Sequence, residues 1–104
     1  MHVGMASIFQ NPGRDSGVSD YSVIQQDMAL ALSAEGLGYD SVWGVEHHFT
    51  DYTMTPDVVQ FLASVGGQCK KVKLGSMVVV LPWNDPIRVA EKISMLDCMT
   101  DGRV

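Results

Sequence analysis

The chain has 104 residues, enough for one small domain with a real core and too few for two. Hydrophobic residues make up 46%, ordinary for a globular protein, and no apolar run approaches the roughly 20 residues of a membrane helix. Seven basic against twelve acidic side chains give a net charge of −5, and the one basic cluster, Lys70-Lys71-Val72-Lys73, reads as a solvated corner between helix and strand, so neither nucleic acid nor membrane is an expected partner.

In chain order, Met1-His2-Val3-Gly4-Met5 lacks the charged and apolar regions of a signal peptide and reads directly as strand, which makes the cytoplasm the expected compartment. Residues 3–9 form a short apolar run, and residues 10–17 a loop dense in turn formers. Ser19 or Asp20 can cap a first helix, in which Tyr21, Ile24, Met28, Ala31 and Leu32 recur at spacings of three and four until Gly36 and Gly38 end it. A second strand is predicted over residues 41–46. Thr55-Pro56-Asp57 then supplies a capping hydroxyl, a proline at the first helical position and an acid favoured by the helix dipole. Val58, Phe61, Leu62 and Val65 make the buried stripe of this second helix, which is expected to run somewhat past Gly66-Gly67.

The third strand is predicted over residues 72–81, because Met77-Val78-Val79-Val80-Leu81 is a nearly continuous apolar run suited to a strand buried on both faces. Pro82 stops it. Asn84 or Asp85 caps a third helix with Pro86 in its first turn and Val89, Ala90, Ile93 and Leu96 facing inward. Thr100-Asp101-Gly102 forms a turn, and Arg103-Val104 reads as the start of a fourth strand. Cys69 and Cys98 lie near helix ends in no redox or nucleophile motif and are expected to be free thiols.

Strand followed by helix, three times at a period of roughly 30 to 40 residues, is the scale of a βαβ crossover. The fold class is therefore α/β with parallel strands. A parallel sheet of three strands and a stub leaves an edge unpaired and apolar surface uncovered, so residues 1–104 read as the leading part of something larger. A (β/α)8 barrel takes about 250 residues, and under half of one would be present.

The chemistry concentrates where the second strand ends, at Glu46-His47-His48. In α/β proteins the carboxyl ends of parallel strands carry the site, since loops there vary while the sheet stays rigid. No metal is expected: adjacent strand residues point to opposite faces, the helical HExxH spacing is absent, and no third ligand is evident. One histidine can act as a general base or hydrogen-bond donor tuned by Glu46, or both can cap the strand through loop carbonyls. Alternation places Glu46 and His48 on a shared face.

At these residues the sequence resembles a known family. Gly38-Tyr39-Asp40-Ser41-Val42-Trp43 with Glu46-His47-His48-Phe49-Thr50 is similar to the second strand of the bacterial luciferase-like flavin-dependent monooxygenases, and Lys73-Leu74-Gly75-Ser76-Met77-Val78-Val79-Val80-Leu81-Pro82 to their third. Asp85-Pro86-Ile87-Arg88-Val89-Ala90-Glu91, then Met95-Leu96-Asp97 and Asp101-Gly102-Arg103, resembles the next helix and the turn into strand four. The resemblance implies the N-terminal βα units of a TIM-type (β/α)8 barrel, incomplete over residues 1–104, that uses reduced FMN and O2 to oxidise an aldehyde or other small organic substrate.

The resemblance also implies roles for particular residues. His47 maps onto the catalytic histidine, a base beside the flavin, with Glu46 next to the ring. Met77-Val78 maps onto a non-prolyl cis peptide against the cofactor, and Ala6 onto a position beneath it. The implied partners are a flavin reductase and a homo- or heterodimeric mate. Two rival readings follow from the same superfamily: an oxidoreductase using the deazaflavin F420, and a non-catalytic partner subunit. Residues holding the flavin phosphate would lie beyond Val104, so residues 1–104 alone are expected to bind flavin poorly. Trp43 is expected in the core of the barrel or against a helix, and Trp83 either lines a substrate pocket or closes the strand end.

Overall fold

The computed structural model describes residues 1–50 and 52–104. Strand β1 (Gly4–Ser7) leads through a 3₁₀ turn to helix α1 (Asp20–Ser33); β2 (Ser41–Gly44), α2 (Val58–Gln68), β3 (Lys73–Ser76) and α3 (Pro86–Met99) follow in strict alternation. The strands are parallel in the order β1-β2-β3, each joined to the next by a helical crossover. Their register aligns Met5, Val42 and Leu74 in one row and Ala6, Trp43 and Gly75 in the next.

The two rows have opposite fates. Met5, Val42 and Leu74 are buried in one apolar cluster with Ala31, Ala34, Val58, Phe61, Leu62, Val65 and Leu96, so all three helices contribute to cover that face. Helix α1 packs on β1, and α2 packs on β2, β3 and both neighbouring helices. A Cβ on Gly44 would stand 2.7 Å from the Phe61 ring, so glycine here lets α2 pack closely on β2. Trp43 therefore faces away from the helices, into what would be the barrel's interior. There its Nε1 donates to Ser41 Oγ at 2.7 Å.

Local chemistry explains the helix boundaries. Ser19 Oγ accepts from the Ser22 N–H at 3.2 Å, and Asp85 Oδ1 accepts from Ile87 and Arg88 N–H at 2.9 and 3.1 Å. Each cap satisfies donors that a first helical turn leaves unpaired. Helix α2 does continue through Gly66-Gly67 to Gln68, and a Cβ on Gly66 would stand 2.7 Å from Thr100 Cγ2. Its start differs from expectation. Asp57, not Thr55, is the cap, with Oδ1 accepting from Gln60 N–H at 3.1 Å. Pro56 thus precedes the helix, because the Thr55 carbonyl is committed to the His47 N–H at 3.0 Å.

The larger correction concerns the third strand. The ladder ends at Ser76; Met77–Val78 is a cis peptide, and Leu81–Trp83 is a 3₁₀ turn. Met77, Val78 and Leu81 are 43%, 57% and 55% exposed, so the apolar run is not a doubly buried strand. The Met77 N–H still donates to the Gly44 carbonyl at 2.8 Å, but the Val80 N–H turns to a Glu46 carboxylate oxygen at 3.2 Å. The Trp83 and Asn84 N–H groups close the turn on the Val80 and Leu81 carbonyls. The first two strands are also shorter than predicted, ending at Ser7 and Gly44.

Residues 103–104 form no strand, yet the Leu74 N–H donates to the Arg103 carbonyl at 2.7 Å along the open edge of β3. The Arg103 guanidinium donates to the carbonyls of Thr100, Val72 and Gly66, tying this end to α2 and β3. Cys69 and Cys98 are free; Cys69 is buried, and burial pushes its thiol pKa up. Among the described residues no helix is long and apolar enough to cross a membrane.

Candidate active site at the carboxyl end of the sheet

Strands β1, β2 and β3 end side by side at Ser7, Gly44 and Ser76, and the loops that leave them gather at one edge. The loop after β2 carries Glu46, His47 and His48; the loop after β3 carries residues 77–85. Once the β2 ladder ends, the His47 N–H is taken by the Thr55 carbonyl, which returns the loop to the sheet before α2 begins.

The three ionisable groups are not equivalent. Glu46 is 4% exposed. Its Oε1 accepts from Nε2 of His48 at 2.7 Å and Nδ2 of Asn84 at 2.9 Å, and its Oε2 from the Val80 N–H at 3.2 Å. With Glu46 as a carboxylate, which has only acceptors, the contact requires an N–H at Nε2 of His48. The His48 ring also stacks on Trp83, centroids 4.9 Å apart and planes at 27°, while Phe49 meets Trp83 at 6.2 Å and 64°.

His47 is exposed. Among the described residues its ring makes no hydrogen bond; it meets Tyr52 edge-on at 5.3 Å and borders a hollow of about 320 Å³ with Thr50, Thr53, Met54 and Pro56. The i, i+2 spacing thus pairs Glu46 with His48 and leaves the His47 ring outside that pair. Met77 and Val78 stand exposed at the same strand ends, joined to β2 through the Met77–Gly44 hydrogen bond. Ala6 lies one residue below the end of β1, exposed, in the row of Trp43 and Gly75.

Reading the sequence missed Asn84 and Val80 as partners of Glu46. The available signal was Asn84-Asp85, two cap-type residues in succession of which only one can cap α3. Trp83 does sit at the strand end, and its place is on His48. Among the described residues no group of three His, Cys, Asp or Glu side chains could hold a metal ion.

The model of the family described as "Luciferase-like monooxygenase" matches residues 1–104. The alkanal monooxygenase alpha chain of Photobacterium leiognathi is 32% identical over 95 residues, which are 91% of this chain and 26% of that protein. Among solved structures, monooxygenase RslO1 from Streptomyces bottropensis superimposes with a TM-score of 0.86 at 30% identity, covering 99% of this chain and 31% of that one. The oxygenating constituent of 3,6-diketocamphane monooxygenase from Pseudomonas putida, a type II Baeyer-Villiger monooxygenase in complex with FMN, gives a TM-score of 0.84 at 25% identity, covering 99% of this chain and 28% of that one. The chain spans about a quarter of the length of the curated relatives it matches.

Proposed function

Because this chain belongs to the luciferase-like monooxygenase family, whose model it matches from residue 1 to residue 104, we propose that it supplies the N-terminal part of the active centre of a flavin-dependent monooxygenase. Reduced FMN and O2 oxidise an aldehyde or another small organic substrate there. The P. leiognathi relative is named an alkanal monooxygenase and the P. putida neighbour holds FMN, which supports the substrate class and the cofactor.

The residues at the mouth suit a flat, largely apolar ring. Ala6 offers a small side chain on the barrel-facing row, and Met77 and Val78 offer exposed apolar surface at the end of β3. When bound, the flavin supplies the activation of oxygen. What this chain contributes is a platform, a proton carrier and a fixed loop geometry. Glu46 works from behind the platform, since its oxygens already serve three protein donors.

The observation that carries the reading is the division between the two histidines. Imidazole can take up or release a proton near neutral pH, and His47 is the one whose ring nitrogens are left to an incoming group. His48 is held by Glu46. On this reading His47 would act as the base, taking up or releasing a proton at a ring nitrogen when flavin and substrate are bound.

In the complete protein, His47→Ala should lower turnover by roughly 10²–10⁴-fold, the usual contribution of a positioned acid–base group, with FMN affinity within a few-fold. Unchanged turnover would point to a supporting subunit in its place. Assaying reduced FMN with O2 beside F420 separates oxygenation from hydride transfer. A flavin reductase would supply the reduced cofactor, a second barrel would complete a dimer, and the cytoplasm is the compartment that suits all three.

A further inference from the structure

Three hydrogen bonds from two different loops converge on one buried carboxylate. Two of the donors to Glu46, the Val80 N–H and Asn84 Nδ2, lie 34 and 38 residues away along the chain, in the segment that follows β3. The third, His48 Nε2, belongs to the loop of Glu46 itself. A buried charge is tolerated only with such partners, and removing it would strand all three donors. Asn84 Nδ2 also donates to the Val80 carbonyl at 3.0 Å, so one side chain links Glu46 to both ends of the Leu81–Trp83 turn.

The consequence of this knot is felt on its outer side. Trp83 rests on the His48 ring that Glu46 holds, and Phe49 meets Trp83 edge-on. Trp83 is 62% exposed and Phe49 98% exposed. Scattered apolar side chains on a surface need no explanation, but here two aromatic rings in contact lie over His48, with Val78 and Leu81 exposed on the same segment as Trp83.

We propose that Glu46 is a positioning residue for the organic substrate: it fastens residues 80–84 to the end of β2, so that Phe49 and Trp83 form a fixed apolar wall over His48 against which the hydrocarbon part of the substrate lies. The reaction served by this wall rests on the monooxygenase reading; the fastening itself does not. Loosening the segment should cost substrate binding more than it costs the proton transfer at His47.

The test uses the complete protein and two variants, Glu46→Gln, which keeps the size but turns one acceptor into a donor, and Asn84→Ala, which removes one of the three bonds and leaves the carboxylate satisfied by two. In the flavin-free protein, the emission of Trp83 is isolated by subtracting that of a Trp83→Phe variant. Its quenching by acrylamide should rise about two-fold or more in both variants as the indole leaves His48. With reduced FMN, O2 and decanal as the probe substrate, KM should rise about tenfold in both variants, and in Asn84→Ala kcat and FMN affinity should stay within about three-fold of the parent. Unchanged Trp83 quenching in both variants overturns the proposal, and so does a loss of kcat like that of His47→Ala with KM unmoved. Should Glu46→Gln fail to fold, Asn84→Ala decides alone. A parent protein with no oxygenase activity would defeat the monooxygenase reading, and the quenching result would still decide the fastening.

Discussion

Gly75 and Trp43 set a constraint at the scale of single residues. A Cβ on Gly75 would stand 2.3 Å from the Trp43 ring, and one on Gly4 would stand 2.6 Å from its Nε1, so the indole lies across glycines on both neighbouring strands. Both contacts are far inside van der Waals distance, and a ring bonded to Ser41 Oγ has little freedom to move. Gly75→Ala should destabilise the complete protein by about 1–3 kcal/mol, the usual cost of overpacking, read as a lower urea midpoint with an unchanged slope. Trp43→Phe in the same background should recover part of that loss; no recovery would show that the cost lies in the backbone. The sequence marks Trp43 and Glu46-His47-His48 as notable, since an aromatic and three ionisable groups end one short strand. It does not say that two glycines flank the indole, because that juxtaposition depends on register. Nor does it say that Asn84, 38 residues on, completes the bonds of Glu46. Alternation, however, correctly joins Glu46 to His48 even after the ladder has ended.

Between elements, one carboxylate organises the corner from α2 into β3. Glu35, after α1, accepts at a single oxygen from the N–H groups of Lys70, Lys71 and Val72 at 2.8, 2.6 and 3.3 Å. The hydrogen bond from Lys71 is the largest influence and holds the Glu35 pKa below its ordinary value of 4.5, against an opposing effect of desolvation. A carboxylate whose folded pKa is depressed stabilises the fold fully above the unfolded value and loses that contribution as pH falls through the folded one. The stability that Glu35 contributes is therefore whole above about pH 4.5 and is lost progressively as pH falls from there through the lower folded value. Glu35→Gln should remove this part of the acid dependence, so parent and variant converge in urea midpoint as pH drops; a constant gap across pH 3 to 7 would contradict the assignment. Such corners are hard to read from sequence, which presents Lys70-Lys71-Val72-Lys73 only as a run of charge. Caps were easier, as Ser19 and Asp85 each precede a clear apolar period. Thr55-Pro56-Asp57 offers two caps, and the choice of Asp57 follows from the use of the Thr55 carbonyl by His47. Met77 to Leu81 reads as strand because hydrophobicity alone cannot show where its N–H groups go. At Val80 the N–H goes to Glu46, a side chain on another loop.

For the molecule as a whole, the distribution of positive charge bears on what residues 1–104 can bind. Four of the seven Lys and Arg side chains are engaged away from any ligand: Arg14 with Asp20, Arg88 with Glu91, Lys92 with Asp57, and Arg103 with three backbone carbonyls. Lys70 Nζ donates to the Gly67 carbonyl at the end of α2. Lys71 and Lys73 stand with Glu35 and His2 around a hollow at the amino ends of the strands, the edge opposite His47. On the proposed reading the mouth would offer a flavin ring an apolar platform and an imidazole, but among the described residues no Lys or Arg side chain is placed there to meet a phosphate dianion. Ring contacts without charge-assisted bonds to the phosphate give modest affinity, since those bonds are about twice as strong as neutral ones. Residues 1–104, in a preparation whose circular dichroism shows helix, should bind FMN with a dissociation constant above roughly 10 µM, equivalent to less than about 7 kcal/mol of binding free energy. Fluorescence titration reads this directly through the flavin's own emission. Micromolar or tighter binding would mean that the phosphate has a holder among these 104 residues, and the hydrogen-bonded cations would be the first places to look.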